Sequence, residues 1–300
     1  MKLVRFSMNG HPPRLGALHG DRIADLQASV AATLERRGVV RAAEIAAALV
    51  PPSTRAFLEG GAAARDAVAD ITEWVTVPAS AARLCAPIAD PGKFICIGLN
   101  YSDHAAEGGN PIPEEPPLFA KWANAILDPG GAILRPRGSQ KLDWEVELGV
   151  VIGRTARFVA KEQALDHVWG YTIVNDVSAR DFQIITTQWT TGKACETFAP
   201  VGPYIADRGE IADPHHLDLK TWVNGQLMQN GNTRTLIFDV RYLVSYLSGL
   251  MTLVPGDLIA TGTPPGCGFA KKPPVFLQPG DTVRMEITGL GRLENPVKDA

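Results

Sequence analysis

Residues 142–153 read Leu142-Asp143-Trp144-Glu145-Val146-Glu147-Leu148-Gly149-Val150-Val151-Ile152-Gly153. On an extended chain successive side chains alternate faces, so Glu145 and Glu147 point one way while Trp144, Val146 and Leu148 point the other. Two carboxylates then lie side by side at the start of an intensely apolar strand. Like charges about 5 Å apart repel by roughly 3 kcal/mol at an effective dielectric near 20, so an arginine, a lysine or a bound cation has to compensate. Taken alone, the pattern more often marks a solvated sheet face. A second apolar strand, YTIVND (171–176), changes the balance because it ends in Asp176, just before the polar VSARDFQ. A third carboxylate at a strand end completes an all-oxygen set, and hard oxygen ligands without sulfur or imidazole favour Mg²⁺, Mn²⁺ or Ca²⁺ over zinc.

Outward from this stretch, most segments after residue 141 read as strands: GYTIVNDVS, LKTWVNGQLMQNG, DLIATGT and DTVRMEITGLG, punctuated by Pro-Gly-Asp turns and an Asn-Gly turn at 224–225. One amphipathic helix is expected from about Phe238 to Met251. Residues 1–78 look different. Short apolar runs broken by Asn-Gly and Gly-Asp turns suggest hairpins, and alanine-rich segments with helical spacing follow. The expectation is a small N-terminal α/β domain (1–78), a Pro/Gly-rich linker (79–90) and a β-dominated catalytic domain (91–300), an α+β protein overall.

Several function classes are excluded by composition. The net charge of -3 carries no nucleic-acid footprint. No run of 18 apolar residues and no export signal is seen, so a cytoplasmic protein without membrane contact is expected. Cys85, Cys96, Cys195 and Cys267 form no CxxC pair and read as buried free thiols of a reducing compartment.

Other residues carry chemistry with less specificity. HAAEGGNPIPEEPP (104–117) lacks a periodic pattern and follows the apolar strand FICIGLNY (94–101), which makes it a candidate lid or a plain surface loop. If it begins with a helical turn, the i, i+3 spacing brings His104 to Glu107, a carboxylate that orients an imidazole for water activation. Lys193 and Lys121 are candidate partners for an anionic substrate. The turn ATGTPPGCG (260–268) offers backbone N–H groups and Thr hydroxyls to a carboxylate, or is simply a turn.

Six stretches together, in this order, resemble the fumarylacetoacetate hydrolase family: PGKFICIGLNYSDHAAE, LDWEVELGVVIG, GYTIVNDVSARDFQ, VNGQLMQNGNTRTLIFDV, LVSYLSGLMTLVPGDLIATGTPPGCG and ITGLG. The resemblance implies a roll of mixed β-sheets, a homodimer, and Glu145, Glu147 and Asp176 as ligands of Mg²⁺ or Mn²⁺. It also implies His104 and Glu107 as the water-activating dyad, Lys193 and Gln183 as the polar pair near the reacting carbonyl, and Thr263 as the substrate-carboxylate contact, with Arg180 a further partner for anionic groups. The full-length fumarylacetoacetases carry a further acid shortly before the histidine. FICIGL has none, which points to the smaller branch of acylpyruvases and 2-hydroxyhepta-2,4-diene-1,7-dioate isomerases. The expected activity is metal-dependent C–C hydrolysis of an acylpyruvate, a small 2-oxo acid. Decarboxylation, isomerisation and ureidoglycolate lysis share the same core chemistry, and a non-catalytic metal- or ligand-binding protein is the alternative from another class.

Overall fold

The computed structural model describes residues 1–107, 109 and 111–300. The Val146–Ile152 strand is buried at all seven positions. It pairs antiparallel with Val168–Asn175 on one side and with Leu258–Ala260 on the other, so the solvated-face reading of Glu147 does not hold. This strand lies inside a mixed sheet of twelve strands among the described residues, which continues through Leu258–Ala260 to a parallel partner, Phe94–Ile97, and then to Leu118–Lys121. A second sheet of five strands contains the hairpin Asp218–Val223 and Gln226–Asn232, turned at Asn224-Gly225, followed in space by Thr282–Ile287 and Gly291–Asp299. The expected amphipathic helix is Val240–Leu250, capped by the Asp239 carboxylate, and it buries Leu243, Val244 and Leu247. The protein is therefore mostly β, with mixed sheets and a few helices.

The N-terminal stretch forms three antiparallel strands, Lys2–Ser7, Arg14–His19 and Arg22–Asp25, then four helices between Leu26 and Ala69. Its sheet does not stop there. Lys2 and Leu3 pair with Ala206 and Ile205 of the long Ala199–Asp207 strand, and the Met1 ammonium lies 2.7 Å from Asp207. Within the stretch read as a linker, Arg83–Cys85 is a strand paired with the same Lys2–Ser7. Pro and Gly marked the turns here, but three residues of backbone pairing need no sequence signature beyond apolar character. Cys85, Cys96 and Cys267 are buried free thiols and Cys195 is half-buried.

No helix among the described residues is long and apolar enough to cross a membrane.

The shared sheet generates a test of the division at residue 78. Removing residues 1–78 uncovers the Ala199–Asp207 edge, and an uncovered edge invites intermolecular pairing. The 79–300 fragment is expected to aggregate or to lose its cooperative urea transition. A fragment that stays soluble and unfolds as sharply as the whole chain would establish that residues 79–300 fold without residues 1–78.

Candidate metal centre and active site

Register assembles the acidic centre. Val146 is opposite Asn175 and Glu147 opposite Val174, so the end of one strand meets the start of the other. Glu145 immediately precedes the first strand and Asp176 immediately follows the second, and the Asp176 N–H donates to the Glu145 carbonyl at 2.9 Å. One carboxylate oxygen from each of Glu145, Glu147 and Asp176 lies within 4.8 Å of the others, and all three residues are buried.

Three cations surround the triad. Lys193 Nζ donates to Glu145 Oε2 at 2.8 Å and to Asp176 Oδ2 at 2.7 Å. Arg180 bridges Asp143 at 2.8 Å and Glu145 at 2.6 Å. Lys121 Nζ is 2.7 Å from Asp176 Oδ1, yet its protons go to the carbonyls of Val177, Lys193 and Phe198, so that carboxylate oxygen has close charge but no hydrogen bond. Four carboxylates thus face three cations, leaving one negative charge in excess. It falls on Glu147, which has no ion pair among the described residues and accepts a single N–H, from Gly262 at 2.9 Å.

The proton affinities follow from this imbalance. Burial would raise Glu145, but Lys193 and Arg180 outweigh it and hold its carboxyl at about 2. Burial, Asp176 and Glu145 all push Glu147 well above the ordinary carboxylate range. Lys193 is raised because Asp176 and Glu145 outweigh its burial. A divalent cation fits this donor set. It would supply the missing charge beside Glu147 and the unbonded Asp176 oxygen, and turn the excess negative charge into an excess positive one.

The second group forms as its spacing predicts. Ser102–Glu107 is a helical turn, with His104 Nδ1 3.4 Å from Glu107 Oε2. That distance allows charge attraction, but Nδ1 is buried without an aligned hydrogen bond. The Gly266 N–H donates to both Glu107 oxygens, at 3.1 and 3.0 Å, and so fixes the carboxylate. Gly266 and Gly262 both need glycine. Their φ values are +107° and +99°, and a Cβ would fall 2.2 Å from the Met228 carbonyl oxygen and 2.7 Å from Asn100 Cβ respectively. Of the lid, residues 108 and 110 lie outside the described residues.

His104, Glu145, Glu147, Arg180, Gln183, Lys193 and Thr263 line one cavity of about 410 Å³. Gln183 accepts from Arg180 through its carboxamide oxygen, which leaves the NH₂ group as a donor. Thr263 donates its hydroxyl proton to the Val146 carbonyl at 2.9 Å and accepts from Gln229, so that proton is committed to the frame. Lys121 is a correction to the sequence reading. It is 1% exposed, sits behind Asp176 and does not line the cavity, so it positions a carboxylate and does not meet substrate.

Sequence reasoning missed Asp143. Fully buried, it accepts from Arg180, from Gly268 N at 2.7 Å and from Phe269 N at 3.1 Å, and so ties Arg180 to the 268–269 turn. The i, i+2, i+4 run of acids at 143, 145 and 147 was an available signal. Gln229 was also missed. Its carboxamide joins Val146 N, Thr221, Thr263 and Pro264, and nothing in the hairpin sequence marks it.

The mostly β fold with mixed sheets buries three carboxylates at a cavity, a donor set that fits a divalent cation. Residues 93–298 match the C-terminal domain of fumarylacetoacetate (FAA) hydrolase, and the chain belongs to the fumarylacetoacetate hydrolase family. A relative from Burkholderia ambifaria, named as a hydrolase, is 54% identical over 220 residues, covering 73% of this chain and 78% of its own. The 2-hydroxyhepta-2,4-diene-1,7-dioate isomerase of Mycobacterium marinum is 33% identical with a TM-score of 0.75, covering 100% of this chain and 98% of that one. The maleylpyruvate hydrolase of Sphingobium sp. SYK-6, solved with manganese(II) ion and pyruvate, is 31% identical with a TM-score of 0.72 and full coverage of both chains.

Two measurements check the centre. Adding Mg²⁺ or Mn²⁺ to chelator-treated protein is expected to raise stability by about 2.7 kcal/mol at a hundred-fold excess over Kd, and Glu147→Gln should lose most of that gain. A variant stabilised as strongly as the parent would remove Glu147 from the ligand set. Proton and cation compete for Glu147, whose pKa is raised, so cation affinity should weaken on acidification at a pH above the usual carboxylate range. Calorimetric titrations at stepped pH read this directly. A flat affinity down to pH 4 would contradict it.

Proposed function

We propose that this protein hydrolyses the C3–C4 bond of an acylpyruvate, a 2-oxo acid with a second carbonyl at C4, consuming one water and releasing pyruvate and a carboxylic acid. The observation that carries the reading is that Glu145 and Glu147 of the acidic triad and His104 of the His104–Glu107 pair line the same cavity, with Asp176 and Glu107 directly behind them. Glu145, Glu147 and Asp176 would hold Mg²⁺ or Mn²⁺, with Ca²⁺ tolerated by the same oxygens. The bound ion supplies Lewis acidity toward the 2-oxo carboxylate end of the substrate.

The chain's own residues account for the rest. His104 accepts a proton from water as its oxygen adds to C4, and the Glu107 carboxylate, which Gly266 holds in place, stabilises the imidazolium that forms. That proton returns to C3 as the C3–C4 bond breaks, so acid and pyruvate leave with the atoms balanced. Gln183 offers its NH₂ group to the substrate carboxylate, and the Lys193 ammonium adds positive charge where the oxo-acid end becomes more negative. Arg180, clamped by Asp143 and Glu145, keeps that charge in register.

A second reading draws support from the likeness to the isomerase of Mycobacterium marinum. Double-bond migration in a 2-hydroxydienedioic acid uses the same ion but consumes no water. His104→Ala separates the two. Hydrolysis should fall by about 10²–10⁴-fold while cation-induced stabilisation is retained, measured by pyruvate release and thermal melts. Full acylpyruvate turnover in that variant would overturn the role of His104.

A further inference from the structure

The acid end of the cavity is crowded with charge, but its other surfaces are apolar. Trp189, Phe119 and Ile184 line the cavity, as do Phe269, Pro274 and Phe276. Trp189 and Phe119 meet edge to face with centroids 5.8 Å apart. The indole can lie there because residue 98 is glycine, where a Cβ would come within 2.1 Å of the Trp189 ring. Phe269 packs against the His104 ring at 6.1 Å and under the Arg180 guanidinium at 4.5 Å. Ile184, which also lines the cavity, is 76% exposed, an apolar surface left uncovered among the described residues.

Cations are distributed differently. Arg180 and Lys193 are spent on Asp143, Glu145 and Asp176. Among the described residues the remaining basic side chain lining the cavity, histidine aside, is Lys141. It is exposed, and its carbonyl accepts from the Arg180 N–H at 2.9 Å, which sets its backbone beside the start of the short Arg180–Gln183 helix. Among the described residues, the cation that meets the Trp189–Phe119 pair is Lys193, 5.1 Å from the Phe119 centroid and already paired with Glu145 and Asp176. A carboxylate on the far end of a substrate would be desolvated there without a partner, whereas an aromatic or branched alkyl group would bury apolar area on both sides.

We propose that the cavity selects 2-oxo acids whose acyl group is uncharged and bulky, an aroyl or branched-alkanoyl pyruvate, over those that carry a second carboxylate. Trp189 is the specificity-determining residue and Gly98 the positioning residue that clears its place. The inference rests on the proposed 2-oxo acid site, so its test includes a readout independent of turnover.

Benzoylpyruvate, acetylpyruvate and succinylpyruvate are compared with Mg²⁺ in two ways: kcat/KM by pyruvate release in the parent, and Kd by calorimetry in the His104→Ala variant. The expected order is benzoyl first, with succinyl weaker by about ten-fold or more in both measurements. Trp189→Ala should shrink the benzoyl preference, and Gly98→Ala, which drives the indole into the cavity, should weaken benzoylpyruvate more than acetylpyruvate. Succinylpyruvate binding best, with that preference lost in Lys141→Gln, overturns the inference by assigning a distal carboxylate to Lys141. An unchanged preference in Trp189→Ala removes that residue from the wall. The expected binding order with no turnover of any of the three leaves the inference standing and overturns the hydrolase reading.

Discussion

Ionised groups sealed from water must balance one another, and the centre of this protein is arranged around that requirement. Moving a charge into the interior costs several kcal/mol even after relaxation, and breaking a buried pair costs about 3–5 kcal/mol. Asp143, Glu145, Glu147 and Asp176 are all buried, and each except Glu147 has a cation within 2.8 Å. The pairing is shared among several groups: Lys193 joins two carboxylates, Arg180 joins two, and Lys121 closes Asp176 from behind. Glu147 is left with the unbalanced charge, so the same constraint that stabilises the core also leaves it short of one positive ion.

The fold meets this demand with strands more than with loops. Antiparallel pairing of Val146–Ile152 with Val168–Asn175 sets the depth of all three acids, because a one-residue slip would send them to the opposite face. Leu258–Ala260 pairs on the other side and delivers the 262–266 turn, whose N–H groups reach Glu147 and Glu107. One turn thus links the acidic triad to the His104–Glu107 pair, and its glycines let the backbone approach both carboxylates closely. The hairpin of the second sheet contributes Gln229, which closes the frame around Val146 and Thr263.

This arrangement divides labour in the cavity. Arg180 and Lys193 are paired with the buried acids, while the Gln183 amide, the His104 ring and the aromatic side chains face the cavity with capacity left for a ligand. Arginine and lysine counts near the site would suggest strong attraction for any dianion. The hydrogen bonds assign most of that positive charge to the protein's own acids, so attraction reserved for substrate is smaller than the residue list implies.

Strand alternation, the terminal aspartate after YTIVND and the i, i+3 spacing of His104 and Glu107 are local properties, and each was legible because the relevant geometry repeats within a few residues. The acids at 145, 147 and 176 and the helical turn at 102–107 could therefore be read before any fold was known. The roles of Lys121, Gln229 and Trp189 could not. Whether a lysine meets substrate or backs a carboxylate depends on which carbonyls surround it, and Val177, Lys193 and Phe198 reach Lys121 from 56 to 77 residues away. The continuity of the N-terminal strands with the large sheet likewise arises from pairing between residues 2–3 and 205–206. Sequence determined which groups could do chemistry, because side-chain direction and charge are local. Tertiary structure decided which of them are free to do it, because desolvation and hydrogen-bond partners are set by segments far apart in the chain.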